Sequence, residues 1–481
     1  MFLSIGFFAI FFVYGNLDYS TVFSLSPSIN EDSITIIGLL LLFAAMGKSA
    51  QLGLHTWLPD AIEGPTPVSA LIHAATLVTA GVYLVLRSSP LIEYGTTTLI
   101  VITWVGALTS FFAASTGLLQ NDLKRVIAYS TCSQIGYLFM ACGLSQYESA
   151  IFHLVNHAFF KALLFLAAGA VLHAVYDQQD IRRLGGLLGF IPFTYTAILI
   201  GSLSLIAVPY LTGFYSKDLI LELAFAQYEF KSTAAYWLGT ISASLTAFYS
   251  IRLISITFLT YANANKIVYN SAHDPAVIVI IPLVILSFIS IAFGYLASDL
   301  YVGIASDFLS TSLFTHPSHV TIVEAHFGLP LIFKLLPMIV TIIASVLAIY
   351  LYHIVPTYLV GLTNTKIGYN LYKFFNGKYL VDVIYNHYII YAGLKAGNLI
   401  SLKLDLGLIE LLGPHGLSTS LQSSSKTVSL IDTGSVQNYA LYIIVASVSI
   451  IFVVFTQVLF SYSIVLSLVL MVTVVSMLLT I

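Results

Sequence analysis

Long apolar runs, broken by short polar connections, recur from one end of the chain to the other. Such runs predict helices that cross a bilayer, because about 20 apolar residues at about 1.5 Å rise each cover the hydrocarbon core. The pattern predicts spans at 1–14 (short), 35–58, 67–87, 97–119, 125–144, 149–175, 187–226 (broken), 234–259, 275–297 and 330–355. After Pro356 the pattern changes. Lys373, Lys378, Asp382, Lys395, Lys403, Asp405 and Glu410 punctuate apolar residues through Leu411. That reads as an amphipathic helix lying along a lipid interface or a partner protein, with an ordinary extramembrane segment as the alternative. From Asn438 to Ile481 the chain is again almost wholly apolar. One helix of that length would run about 66 Å, so two spans, or one span plus an interfacial piece, are expected. The fold class is thus all-α, a polytopic membrane helix bundle of about 11–13 spans. Its expected parts are a translocation domain over 1–300, a further membrane segment with linkers over 301–356, a connection and lateral amphipathic helix over 357–437, and a C-terminal anchor over 438–481.

Composition agrees with this class. The chain is 58% hydrophobic and 8% charged, against about a quarter charged in soluble domains. A net charge of −3, thinly spread, predicts no nucleic-acid partner. Met1 to Tyr14 has neither the basic start nor the small-residue cleavage site of a signal peptide. Cys132 and Cys142 are the only cysteines, so no iron–sulfur or zinc spacing exists. Gly185-Gly186-Leu187-Leu188-Gly189, the nearest thing to a nucleotide fingerprint, lacks a preceding strand. No redox cofactor and no metal is expected in this chain. Loop charges set the orientation. Lys124 and Arg125 follow one span, Arg182 and Arg183 the next but one, and the intervening loop carries Glu148 with no basic residue. The positive-inside rule places both basic loops on the cytoplasm-equivalent side, which in a mitochondrion is the matrix.

Against this background a few charges stand out. Lys48, Lys161 and Lys217 each fall about half-way along an apolar stretch, which predicts a position near the midplane. A lysine there costs about 2.5–3.5 kcal/mol on insertion scales, so it requires a partner, water or a role. His153, His157 and Lys161, spaced i, i+4, i+8, stack on one helix face about 6 Å apart and can pass a proton by hydrogen bonds. The alternative is that each histidine bonds a carbonyl and the lysine snorkels, but snorkelling does not reach the surface from mid-span. Lys48 and Lys217 also neighbour helix-breaking sequence. Gly47, Gly53 and Pro59 surround the first, and Pro209 and Gly213 precede the second. Interrupted membrane helices of this kind, two in one chain, predict related halves of a transporter. His73 would continue a path from Lys48, and Asp218 either pairs with Lys217 or faces the opposite side. Asp60 and Glu63 read as solvated or structural; Lys124, Arg125, Arg182, Arg183, Lys231 and Arg252, near span ends, read as topology anchors.

The stretches Gly47–Leu52, Gly64–Thr76, Asn121–Tyr137, His153–Phe165 and Gly213–Asp218 closely resemble the antiporter-like subunits of respiratory complex I. The resemblance covers essentially the whole chain and weakens in the tail. It implies antiporter-like repeats and a distal proton-translocating subunit of NADH:ubiquinone reductase in the mitochondrial inner membrane. Lys48, His73, His153, His157, Lys161 and Lys217 would then line a hydrated axis, with Asp218 beside it. FMN, iron–sulfur clusters and ubiquinone would be held by partner subunits. The segment after Pro356 would be a lateral helix clamping neighbouring antiporter-like subunits, with phospholipids around it. The family pattern has about five helices before the point matching Met1, including a glutamate that pairs with the Lys48 position. Three accounts of this difference stay open: a separate chain supplies those helices as a further partner, the sequence is truncated, or the organism has lost them. Two other readings stay open: a cation/proton antiporter subunit of the multi-subunit bacterial type, and a structural scaffold with an inactive channel.

Overall fold

The computed structural model describes residues 1–72, 76–304 and 306–460, with Val469 and Val472 beyond them. Its long helices are α1 (Phe2–Tyr14), α2 (Glu31–Lys48), α3 (Thr96–Gly117), α4 (Leu123–Gly143), α5 (Tyr147–Ala174), α6 (Pro192–Ile206), α7 (Leu219–Ala226), α8 (Phe230–Ile254), α9 (Val277–Val302) and α10 (Leu331–Ile349). No strand occurs among the described residues; a single antiparallel bridge joins Asp122 to Asp180. The chain is an all-α polytopic bundle, as the apolar pattern implied. Six described helices are individually long and apolar enough to cross a membrane, seven if the bent pair Phe2–Tyr14 and Tyr19–Ser28 is one span. The remaining expected spans correspond to helices that are shorter, broken or more polar, such as α2, α4, α6 and α7.

Which helices are most apolar follows from what surrounds them. The window in α9 has a mean hydropathy of 2.8 and is 17% buried, whereas that in Phe230–Leu259, which includes α8, has 1.4 and is 67% buried. A lipid-facing helix has no partner for a polar side chain; a helix enclosed by protein does. α4 takes this to its limit. It carries Ser, Thr, Gln and Tyr side chains, and from Val126 to Gly143 every residue is buried. Small residues let α3 close on it: a Cβ at Gly106 would lie 2.3 Å from the Met140 backbone nitrogen. Close backbone approach through glycine is the usual way membrane helices pack without a hydrophobic driving force.

The end of the bundle with the basic loops is tied across the chain. Leu123 N–H donates to the Gln179 carbonyl and Ile181 N–H to that of Asn121, so the loops carrying Lys124/Arg125 and Arg182/Arg183 lie side by side. This agrees with placing them on one side of the membrane. Arg125 pairs with Asp122 at 3.0 Å and Arg182 with Asp180 at 2.7 Å. Arg252, read from the sequence as a topology anchor, does lie at the end of α8, where it meets the loop between α3 and α4. It is buried, donating to the Gln120 carbonyl at 2.7 Å and to Asn121 Oδ1 at 3.2 Å, because the loop turning from α3 into α4 needs its carbonyls satisfied.

The chain divides into two compact units, Met1–Asp382 and Val383–Ile481. The first ends with the helix Lys366–Asn376, whose Tyr372 hydroxyl accepts from Asn121 Nδ2 and whose Asn376 carbonyl accepts from Gln120 Nε2. Lys378, Tyr379 and Leu380 then turn through left-handed backbone conformations. Lys378 bridges Asp382 and Asp60 at 3.3 and 3.6 Å, so Asp60 has a structural partner. The second unit is helical from Tyr385 to Leu412, breaks at Gly413, and continues as Pro414–Ile431 and Val436–Phe460. Most of residues 461–481 lie outside the described residues, and with them the choice between one and two C-terminal spans.

Candidate proton-relay site

α4 and α5 run antiparallel through the middle of the first unit, and the candidate site lies between them. His153, His157 and Lys161 on α5 are all fully buried, and the His153 and His157 rings are 6.4 Å apart, so the i, i+4, i+8 stripe forms as expected. Lys161 Nζ donates to Ser130 Oγ at 2.6 Å and reaches the Ile127 carbonyl at 3.4 Å. His153 is held from both sides, Nε2 lying 3.1 Å from Gln134 Oε1 and Nδ1 2.9 Å from Ser216 Oγ. His157 differs. Both ring nitrogens are buried without a protein hydrogen-bond partner, and so are both polar atoms of Asn156 beside it. Neither histidine bonds a backbone carbonyl, and the lysine does not reach the surface.

Lys217 joins this group from a broken helix. α6 ends where Ala207 adopts a left-handed conformation, Tyr210 does so again, and the chain re-enters as the π-turn Phe214–Asp218. The return is tight enough that a Cβ at Gly213 would fall 1.8 Å from the Ser204 carbonyl oxygen, so only glycine fits. Lys217 Nζ donates to Thr246 Oγ1 on α8 at 3.0 Å and sits 5.3 Å from the Tyr137 ring centroid, a cation–π distance. Asp218 is buried next to it, but the two form no ion pair among the described residues. Of the two arrangements the sequence left open for Asp218, direct pairing with Lys217 is not the one adopted.

Lys48 is placed differently from the expectation of a buried mid-span charge. It is the last residue of α2 and its side chain is exposed. The predicted span 35–58 stops there because Ala50 takes a positive φ, the Gln51 N–H turns back to the Met46 carbonyl, and the Trp57 indole N–H takes the Gly47 carbonyl at 3.0 Å. The expected helix break beside Lys48 is thus present, while its burial is not. His73 lies outside the described residues.

Several site residues escaped the sequence reading. Ser130, Gln134 and Tyr137 all project from one face of α4 and meet Lys161, His153 and Lys217 respectively. Their i, i+4, i+7 spacing on one face of a helix was an available signal; Ser216 and Thr246 carried none. At the opposite end of the bundle from the basic loops, Glu93 is a buried carboxylate that accepts from Ser145 Oγ, Tyr147 OH and the His316 N–H, with His319 Nδ1 at 2.8 Å. It closes the loop around residues 314–320 onto the bundle.

The sequence profile described as "NADH:quinone oxidoreductase/Mrp antiporter, TM" matches residues 1–270, and that of "NADH dehydrogenase subunit 5 C-terminus" matches 249–457. NADH-ubiquinone oxidoreductase chain 5 of Mycosarcoma maydis is 74% identical over 454 residues, covering 94% of this chain and 67% of that protein. Its counterpart in Cryptococcus neoformans is 67% identical, over 95% of this chain and 69% of its own length. The chain thus spans about two-thirds of these relatives. The fold is similar to that in the Mrp complex from Dietzia, with a TM-score of 0.63 at 23% identity over 98% of this chain and 52% of that one. With more than half the chain inside the first profile and most of the remainder inside the second, this protein belongs to the NADH-ubiquinone oxidoreductase chain 5 family.

Proposed function

We propose that this chain is a proton-translocating membrane subunit of NADH:ubiquinone oxidoreductase, working with the other membrane subunits of that complex. The observation that carries the reading is the buried polar line through the first unit, in which Lys161, His153 and Lys217 each rest against a neutral hydroxyl or amide. A lysine with a neutral partner can gain or lose its proton without leaving an unpaired carboxylate in a dry interior. Together with the unpartnered ring of His157 between them, these groups form a relay that moves charge while binding no substrate. Lys48, His73 and Asp218 complete the proposed set of relay residues. In this reading the chain holds no redox centre: FMN, iron–sulfur clusters and ubiquinone belong to partner subunits. The complex lies in the mitochondrial inner membrane, with neighbouring antiporter-like subunits and phospholipids against this chain.

The test is Lys161→Met in the assembled complex, reconstituted into vesicles, with proton uptake and NADH oxidation recorded together. Fewer protons per electron pair, in complex assembled normally on a native gel, is the expected result. An unchanged ratio would overturn the relay and favour a scaffold.

A further inference from the structure

α4 touches three of the proposed relay positions, and Gln134 is its contact with the His153 ring. It is fully buried, as are His153 and Ser216. A neutral imidazole carries its proton on one nitrogen only, and the group facing the other nitrogen has to donate. With Gln134 Oε1 facing Nε2 at 3.1 Å, the ring proton sits on Nε2. Nδ1 then presents its lone pair to Ser216 Oγ at 2.9 Å, and the serine hydroxyl donates. An amide turned by half a rotation would set its N–H against Nε2 and suit only the other tautomer, with the ring proton on Nδ1 and donated to Ser216. The Gln134 Nε2 has no other partner to oppose that turn.

From this geometry we propose that Gln134 is a positioning residue that sets the tautomer of His153, holding the ring proton on Nε2 so that Nδ1 stays free to take up and return a proton on the Ser216 side, toward Lys217. The proposal rests on the relay reading above. In the accepting state, a proton bound by the Ser216 oxygen releases that hydroxyl's own proton to Nδ1. One O–H bond forms as another breaks, one N–H bond forms, and the ring becomes an imidazolium whose Nε2–H stays on Gln134. The amide itself takes no proton. Donation is the reverse step: the imidazolium returns its Nδ1 proton to the Ser216 oxygen, the hydroxyl releases its own proton on the far side, and the ring is again neutral with its proton on Nε2. Ser216 precedes Lys217 directly in the π-turn, so this ring is where the α5 stripe meets the broken helix.

Gln134→Met keeps the length and bulk of the side chain and removes both hydrogen-bonding atoms. In the assembled complex it is expected to lower protons pumped per electron pair severalfold while NADH oxidation, measured uncoupled, stays near the parent rate. Gln134→Glu retains an acceptor facing Nε2 and is expected to restore part of the ratio; a space-filling role would give the opposite order. The double variant Gln134→Met with Ser216→Ala is expected to be no worse than the worse single, since both act on one ring. Parent-like pumping in Gln134→Met, or additive losses in the double variant, would overturn the proposal. Lys161→Met measured alongside keeps the two readings apart. If it lowers the ratio while Gln134→Met does not, only the tautomer assignment falls.

Discussion

Ser130→Ala removes a single atom, and its effect can be worked out from the geometry. The Ser130 hydroxyl donates to the Ile127 carbonyl at 2.7 Å, which leaves its oxygen free to accept from Lys161 Nζ at 2.6 Å. Being already committed as a donor, this hydroxyl serves the ammonium form of the lysine better than the neutral amine. Without it the ammonium keeps only the Ile127 carbonyl at 3.4 Å, a weak contact in a fully buried site. A hydrogen bond to a charged group contributes about 1.5–3 kcal/mol, so the charged form loses about 10- to 150-fold against the neutral one. Proton loading at Lys161 becomes the slow step, and pumping per electron pair falls most at the alkaline end of the working range, where protons are scarcest. The assay is vesicle acidification against NADH oxidation across neutral pH, with Ser130→Thr as the variant that keeps the hydroxyl and restores pumping. If fully assembled Ser130→Ala complex pumps like its parent at every pH, the Ser130 contact has no part in loading Lys161 and the reasoning is refuted.

Two further expectations concern how the site is held. Gly106→Leu puts a side chain where even a Cβ would be 2.3 Å from the Met140 nitrogen, so α3 and α4 must part; overpacking of this kind costs about 1–3 kcal/mol or more, and native gels are expected to show loss of assembled complex. Glu93→Gln exchanges an acceptor-only carboxylate for an amide facing Ser145, Tyr147, His316 and His319; at about 1.5–3 kcal/mol for a hydrogen bond to a charged group, the complex is expected to unfold at lower temperature in differential scanning fluorimetry, with oxidase activity retained below that temperature. Parent-like thermal stability would show that this carboxylate does not hold the 314–320 loop.

Much of this protein was legible before any coordinates. Apolar runs gave the helices because, in lipid, backbone groups can be satisfied only within a helix or a closed barrel. Their predicted bounds for α3, α4 and α5 lie within two residues of those observed. The stripe of His153, His157 and Lys161 followed from helical periodicity alone, since residues four apart share a face whatever packs against them. What periodicity could not supply was the partner of each group. Ser130 lies 31 residues from Lys161 and Thr246 lies 29 from Lys217, and hydroxyl residues are scattered too widely in the sequence to be matched by pattern. Lys48 shows the same limit from the other side. Its apolar neighbours predicted burial, but hydropathy records the company a residue keeps along the chain and not where its helix stops. Chain order and hydropathy therefore determined the class, the helices and the face that carries His153, His157 and Lys161. Only the packing of α4 and α8 against α5 and the broken helix decided which neutral groups hold Lys161, His153 and Lys217, because those contacts join residues that local sequence does not relate.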